Sequence, residues 1–366
     1  MRRLVVVQLL PALEAGGVER STLEIAAALV AAGHASHVVS AGGRLVASLE
    51  AAGSQHHALA IGAKSLATPF RIPALRRLLR DLSPDIVHAR SRLPAWLALG
   101  ALRGLRPRPA FVTTVHGLNS PGAYSAAMTR GDAVVCVSDT VRRHVLEHWP
   151  GAASRLVVIP RGIDPGQFPR RTRPDSEAAA AIRAELGLAP TTDLLLMPGR
   201  GTRLKGHGHA LRLLADLRAQ GRDVALWLLG AAQPGREAYL DELRAEAAAL
   251  GVADRLRVSP PRGDVVRAYA GADLVLQLSG QPEAFGRTVL EALAVGVPVL
   301  GWDHGGVGET LRAVWPAGLV AHGDATALHA RAAALLDDPP PLPASLPYPL
   351  SAMQTATLDL YARLAG

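Results

Sequence analysis

SGQPEAFGRTVLEALAVGVPVLGWDHGGVGE, residues 279–309, holds two carboxylates, Glu283 and Glu291, eight positions apart with Gly286 between them. Ser279-Gly280-Gln281-Pro282 is turn chemistry. Gly286 to Val295 reads as a short helix closed by Gly296, with Val297 to Gly301 following as a short apolar strand. Gly305, Gly306 and Gly308 read as a glycine-rich turn. On this reading Glu291 lies on the helix and Glu283 in the loop before it. Glycine at 286 leaves the first N–H groups of the helix open to a ligand, and the helix dipole there favours an anion. The segment thus offers carboxylate acceptors for sugar and ribose hydroxyls on both sides of donors suited to a diphosphate.

A second phosphate signal lies upstream, in MPGRGTRLKGHG, residues 197–208. Arg200 and Lys205 follow an apolar strand and are five residues apart across a glycine turn, so both can reach one diphosphate, the arginine bidentately. Two other phosphate motifs fail here. A P-loop needs Gly-Lys-Ser/Thr, whereas Lys205 precedes Gly206 and His207, and Gly199-Arg200-Gly201 lacks the third small residue of a dinucleotide fingerprint. In the first half, Gly16 and Gly17 with Glu19 behind them follow the first strand. His116, in TTVHG, and His88, in PDIVHARS, stand at the carboxyl ends of expected strands, where ligands of open parallel sheets bind. Arg90 and Arg92 follow His88.

Taken together, Glu-x7-Glu, Arg-x4-Lys, the Gly-Gly-x-Glu opening and the VHG segment resemble the retaining family 4 glycosyltransferases, of the lipopolysaccharide and surface-glycan type. The resemblance runs from Gly16 to Glu309. It implies the GT-B fold, an α/β architecture of two Rossmann-like domains with parallel sheets facing a central cleft. It also implies metal-independent, retaining transfer of a hexosyl group from a nucleotide-diphosphate sugar to a glycan or glycolipid. Glu283 would then contact the donor sugar and Glu291 the ribose. Arg200 and Lys205 would hold the diphosphate, and His116 would lie near the donor sugar, making His116, Glu283, Arg200 and Lys205 the catalytic set. Gly16, Gly17, Ala284, Phe285 and Gly286 complete the donor site, and His88, Arg90 and Arg92 belong to the acceptor side. UDP, GDP and ADP donors share these motifs, with a UDP-sugar preferred. Arg161, in VIPRGID, stands where many relatives have Asn; the change puts a capping role in doubt and adds a donor, and Asp164 caps or contacts substrate.

Length and patterning agree with two domains. The chain has 366 residues, 49% hydrophobic, with 36 glycines and 27 prolines, the make-up of a globular α/β protein. Strands expected over 4–10, 37–40, 85–88, 111–115, 133–137 and 156–159 alternate with helices, including 18–32 and 71–80. After a proline-bearing linker (Pro165, Pro169, Pro174) the alternation restarts at 193–198. The expected division is an acceptor domain over 1–170, with a terminal helix over 351–366 packing back on it, and a donor domain over 171–347.

The first residues, MRRLVVVQLL, read as a strand rather than a leader, because Gln8 and Pro11 interrupt the apolar run. No stretch of 18 uninterrupted apolar residues occurs. A lone Cys136 excludes a disulfide framework and suits a reducing cytosol. No Asp-x-Asp and no metal-ligand spacing occurs, so neither metal nor cofactor is expected beyond the sugar nucleotide.

Charge divides unevenly. Residues 1–170 hold 20 basic against 10 acidic side chains, and residues 171–366 hold 19 against 21. Nine arginines and two aspartates fall within 71–108, around the amphipathic RIPALRRLLR. An anionic partner for the first half follows, and an anionic membrane surface at the cytoplasmic face is the expected one. Nucleic acid is the competing partner, but aromatics are only 4% and no helix-turn-helix or stacking platform is present. The other alternative is a sugar-nucleotide epimerase of GT-B fold, whose acid–base pattern is not seen.

Overall fold

The structure is a computed structural model that describes residues 2–14, 16–63, 65, 68–171 and 176–366. The chain forms two compact units, Met1–Gly162 with Leu350–Gly366, and Ile163–Pro349. In the first, strands β1 (Val5–Leu9), β2 (Ala35–Ser40), β3 (Gln55–Ala58), β4 (Ile86–Ala89), β5 (Ala110–Val115), β6 (Ala133–Cys136) and β7 (Leu156–Val158) build one sheet. Their order is β3-β2-β1-β4-β5-β6-β7 and every pairing is parallel. Helices α1 (Gly17–Ala31), α2 (Val46–Ala51), α3 (Arg71–Leu82), α4 (Arg92–Leu102), α5 (Ala123–Ala126) and α6 (Asp139–His148) connect the strands. Central strands such as VVVQL are apolar almost throughout because helices cover both faces of a parallel sheet.

The second unit begins with α7 (Ser176–Glu185). Its strands are β8 (Asp193–Pro198), β9 (Val224–Leu229), β10 (Leu256–Ser259), β11 (Leu274–Gln277), β12 (Val299–Trp302) and β13 (Leu319–Val320), in the order β10-β9-β8-β11-β12-β13. The covering helices are α8 (His207–Ala219), α9 (Glu237–Ala249), α10 (Val265–Gly271), α11 (Arg287–Val295), α12 (Gly305–Val314) and α13 (Ala325–Asp337). Both sheets reverse their winding beside the first strand of the unit, between β1 and β4 and between β8 and β11. In such sheets the carboxyl ends at the reversal open a crevice for ligands.

A last helix, α14 (Leu350–Ala365), belongs to the first unit. Its Met353, Leu360 and Tyr361 join a core with Leu4, Val6, Ile25, Leu29, Ile86 and Val112. The units divide at Gly162/Ile163 rather than at 170/171. Segment 163–171 is tied to the second unit by Ile163 N donating to Tyr348 O (2.9 Å) and Arg171 N to Val295 O (2.9 Å). Pro174 of the expected linker lies outside the described residues.

One expected element has a different form. Gly305, Gly306 and Gly308 are the first turn of α12, not a turn between elements. A Cβ at Gly306 would lie 2.4 Å from Ala284 C and Phe285 N, and one at Gly305 would lie 2.7 Å from Pro282 Cβ. The glycines are there so that a helix can begin against the 282–286 backbone.

Candidate active site

Three loops meet at the carboxyl ends of β8, β11 and β12. The loop after β8 ends at Gly206, in the left-handed region (φ 77°), where a Cβ would come 1.8 Å from Leu278 O. Only glycine lets this loop lie on the end of β11, and Gly280 N donates to Leu204 O (3.0 Å) to close the contact. Gly286 likewise starts α11 at φ 80°, and Gly306 N donates to Glu283 O (2.7 Å). The beginnings of α8, α11 and α12 are thereby gathered around one side chain, Glu283.

Lys205 Nζ donates to Glu283 Oε1 at 2.7 Å, with both side chains about three-quarters covered, and Ser279 Oγ donates to the same oxygen. Burial alone would raise the Glu283 carboxyl; Lys205, Ser279 and Arg200 outweigh it and hold it below the usual range. Glu283 is therefore an anion at neutral pH, suited to accept from sugar hydroxyls and not to act as an acid. Arg200 is exposed and makes no ion pair among the described residues, so its guanidinium stands open to a phosphate. The structure brings Arg200, Lys205 and Glu283 together.

Glu291 is buried on α11, where Tyr269 Oη donates to its Oε2 (2.9 Å) and Arg287 Nε lies 3.3 Å from its Oε1. One carboxylate oxygen is thus committed to a tyrosine on α10. The backbone of Ala284 and Phe285 packs against Gly306 of α12. The Phe285 ring is in the core against Tyr348 (5.7 Å between centroids), and its carbonyl accepts from Thr310 Oγ1 (2.6 Å).

In the first unit, Gly16 caps α1 and Gly17 is its first residue. Glu19 folds back so that a Cβ at Gly16 would meet its Oε2 at 2.6 Å. His116, at the end of β5, accepts at Nδ1 from Arg161 Nη2. That bond assigns the proton of the neutral ring to Nε2, which is shielded and without a partner. Desolvation, then Arg161, Arg90 and His88, push the imidazole well below its ordinary value. His116 is a neutral N–H donor. Arg161 positions it, a role the sequence did not disclose. Asp164 Oδ1 accepts from Gly166 N (2.9 Å) in a local turn.

The expected acceptor-side residues need correction. His88 is 1% exposed, and both ring nitrogens are occupied, Nδ1 by Tyr361 Oη and Nε2 by Thr114 Oγ1 (2.5 and 2.6 Å). It fastens α14 to the sheet and presents nothing to a substrate. Arg90 is 3% exposed, its Nε donating to Gln8 Oε1 (2.7 Å). Both strand-end residues point into the layer between sheet and helices because α14 covers them, and no local sequence signal marks that cover. Arg92, on α4, lies over the Tyr124 ring (5.3 Å).

A mononucleotide-type parallel sheet in each unit, with a cation pair and a largely covered carboxylate at the second unit's winding reversal, is the arrangement of the GT-B fold. Family models match accordingly: the Glycosyltransferase Family 4 model covers residues 15–167 and the Glycosyl transferases group 1 model residues 179–347. The chain belongs to glycosyltransferase family 4. It is 33% identical over 298 residues to a D-inositol 3-phosphate glycosyltransferase of Nocardia farcinica, a match that covers 74% of this chain and 63% of the relative. The chain therefore spans less than two thirds of that relative's length. Among solved structures, Anabaena Alr3699/HepE in complex with UDP and glucose superposes with a TM-score of 0.81 at 19% identity, covering 98% of this chain and all of the other. WaaG, a glycosyltransferase involved in lipopolysaccharide biosynthesis, gives 0.69 at 20% identity over 99% and 94% of the two chains.

Proposed function

We propose that the protein transfers a hexosyl group, with retention, from a nucleotide-diphosphate sugar to a glycan or glycolipid of the bacterial surface, lipopolysaccharide being the favoured class. The observation that carries the reading is the cluster of Arg200, Lys205 and Glu283 against the glycine-capped starts of α8 and α11 and the glycine-rich first turn of α12. Cleaving the sugar–phosphate bond leaves negative charge on the diphosphate. Two fixed cations and oriented N–H groups stabilise that charge without rearranging. Glu283, held anionic, accepts from sugar hydroxyls, and Glu291 from the ribose. No side chain is placed as a covalent nucleophile. In the route favoured here the departing phosphate takes the acceptor's proton on the face it leaves.

The solved relative that holds UDP and glucose supports a UDP-sugar as donor. The glycolipid reading is supported by the first unit's surface. Phe70 and Trp96 are 80% and 44% exposed, and a pocket of about 410 Å³ lined by Thr68, Pro69, Leu93, Trp96 and Tyr124 lies beside them. Next to this apolar ground α3 presents Arg77 and Arg80 to solvent, a combination suited to an anionic leaflet at the cytoplasmic face. Among the described residues no helix is long and apolar enough to cross a membrane.

Calorimetric titration with UDP, GDP and ADP, followed by turnover assays of the corresponding sugar nucleotides, tests the reading. One nucleoside diphosphate should bind in the absence of divalent metal, and its sugar nucleotide should be consumed only when acceptor is present. Isomerisation of the donor without acceptor would instead make the protein an epimerase.

A further inference from the structure

The first unit holds a small, partly open cavity of about 20 Å³ that the transfer reaction does not use. Its polar lining is Ser21, His88, Arg90, Thr114, Arg161 and Thr357, and the rest of the wall is apolar, with Met353 of α14 and side chains of α1, β6 and the end of β7. One water needs about 10–15 Å³ measured this way, so there is room for a single occupant somewhat larger than water. Arg90 decides what kind of occupant that is. Its Nε is satisfied by Gln8 and its Nη1 reaches Ser21 Oγ at 3.4 Å, but Nη2 is fully shielded and has no hydrogen-bond partner.

Among the described residues no group meets Nη2 itself in hydrogen-bond geometry. Both nitrogens of His88 are engaged with Tyr361 and Thr114, and the Arg161 guanidinium faces the same space. Tyr361, through its charge and a side-chain hydrogen bond, and Glu24 act on the Arg90 guanidinium and offset part of the desolvation. That leaves two guanidinium groups around one cavity. A buried donor on a cation with nothing to bond costs more than any neutral orphan.

The geometry points to a binding site for one small monovalent anion of halide size, held between Arg90 Nη2 and Arg161 with the Ser21 and Thr114 hydroxyls at its sides. A halide accepts from all of these groups at once and returns no proton, whereas a water would have to direct two protons at polar groups that are mainly donors or at apolar side chains. Its charge also matters to the neighbouring site. Arg161 positions His116, so an anion beside Arg161 fixes the guanidinium that orients that imidazole.

The test is made on the whole protein at constant ionic strength, replacing sodium gluconate, whose anion is too large for the cavity, by sodium chloride or bromide. Thermal stability should rise with halide and follow a single-site curve. Above the dissociation constant, each tenfold increase in halide raises the folded-to-unfolded ratio tenfold. Crystals grown in bromide should show one anomalous peak inside the cavity. Ser21→Val, which fills the space while keeping Arg90, and Arg90→Gln should each abolish the halide dependence. Equal stability in gluconate and chloride, or bromide crystals with no peak in the cavity, would mean that water alone occupies it and would overturn the site. The bromide experiment needs no variant, so it decides the question even if neither substitution folds.

Discussion

At the ends of β8 and β11 the charged groups stand at the rim of the sheet; at the ends of β1 and β4 they lie inside it. In the second unit Arg200 is exposed, and the Lys205–Glu283 pair, about a quarter exposed, holds its charge where a ligand can reach. In the first unit Gln8, His88 and Arg90 occupy the equivalent ends of a sheet of the same winding, and all are almost wholly buried. The difference comes from what covers them. Left-handed glycines let the second unit's loops lie directly on the strand ends with their charged side chains at the rim, whereas α14 covers the first unit's His88, to which its Tyr361 bonds. Equal topology fixes where a site can be; the cover decides whether polar side chains there serve a ligand or the core.

The sharpest break between the two regions is in turnover. Lys205→Ala or Arg200→Ala should lower kcat by about 100- to 1,000-fold, the usual consequence of removing one preorganised charge stabiliser. Excess chelator should leave the wild type fully active. A loss under tenfold in well-folded variants would remove the cation pair from the mechanism.

Acid should affect stability strongly. His207 is buried at the start of α8, and its pKa is pushed down to about 4 by burial and then by Lys205. The unfolded chain titrates near 6.5, so it gains the proton first as pH falls. This contribution is complete above pH 6.5 and is lost between 6.5 and about 4, amounting to about 3 kcal/mol. His88 and His116 are lowered as well, so their contributions have the same sign. Calorimetric unfolding from pH 7.5 to 4.5 should show the decline, and His207→Gln should flatten part of it. A His207→Gln variant as acid-sensitive as the wild type would contradict the assignment.

Next in size is a contrast within the second unit. Glu291→Ala should weaken nucleoside diphosphate binding by about 1.5–3 kcal/mol, the worth of a hydrogen bond to a charged group. Glu283→Ala should leave that affinity nearly unchanged while lowering turnover of the sugar nucleotide. Titration calorimetry on both variants separates the roles, and equal losses of affinity would merge them.

The smallest effect is expected at the first unit's surface. Arg76 donates to Gly100 O and Ala101 O (2.8 and 3.1 Å), tying α3 to α4, and is not available to a membrane. Arg77 and Arg80 are, at about 1 kcal/mol for each residue that reaches an anionic leaflet. Vesicle co-sedimentation should depend on anionic lipid, weaken near 0.5 M salt by screening, and fall sharply in the double substitution of Arg77 and Arg80 to Glu. Undiminished sedimentation of that variant would direct attention to Phe70 and Trp96.

Much of this was legible in the sequence where function is written locally. The alternation of apolar runs and glycine stops gave the two sheets, and Glu283, Lys205 and Arg200 were found because each sits in a short motif bounded by glycines. Three features were not legible. The first turn of α12 looked like a loop because glycines that permit close packing cannot be told, in one dimension, from glycines that bend a turn. β3, with the sequence QHHA, has no apolar alternation to announce it. His88 and Arg90 passed for site residues because their partners, Tyr361 and Gln8, are 273 and 82 positions away.

That distance between His88 and Tyr361 also sets an order of events during synthesis. The first unit's sheet is complete once β7 has been translated, but its core lacks Met353, Leu360 and Tyr361 until the end of the chain emerges. The intervening unit takes roughly 10–40 s to translate at 5–20 residues per second. During that interval the nascent first unit carries an uncovered apolar face and a His88 whose Nδ1 lacks its Tyr361 partner, while the second unit can finish its own core. The half that is synthesised first is therefore the half that folds last.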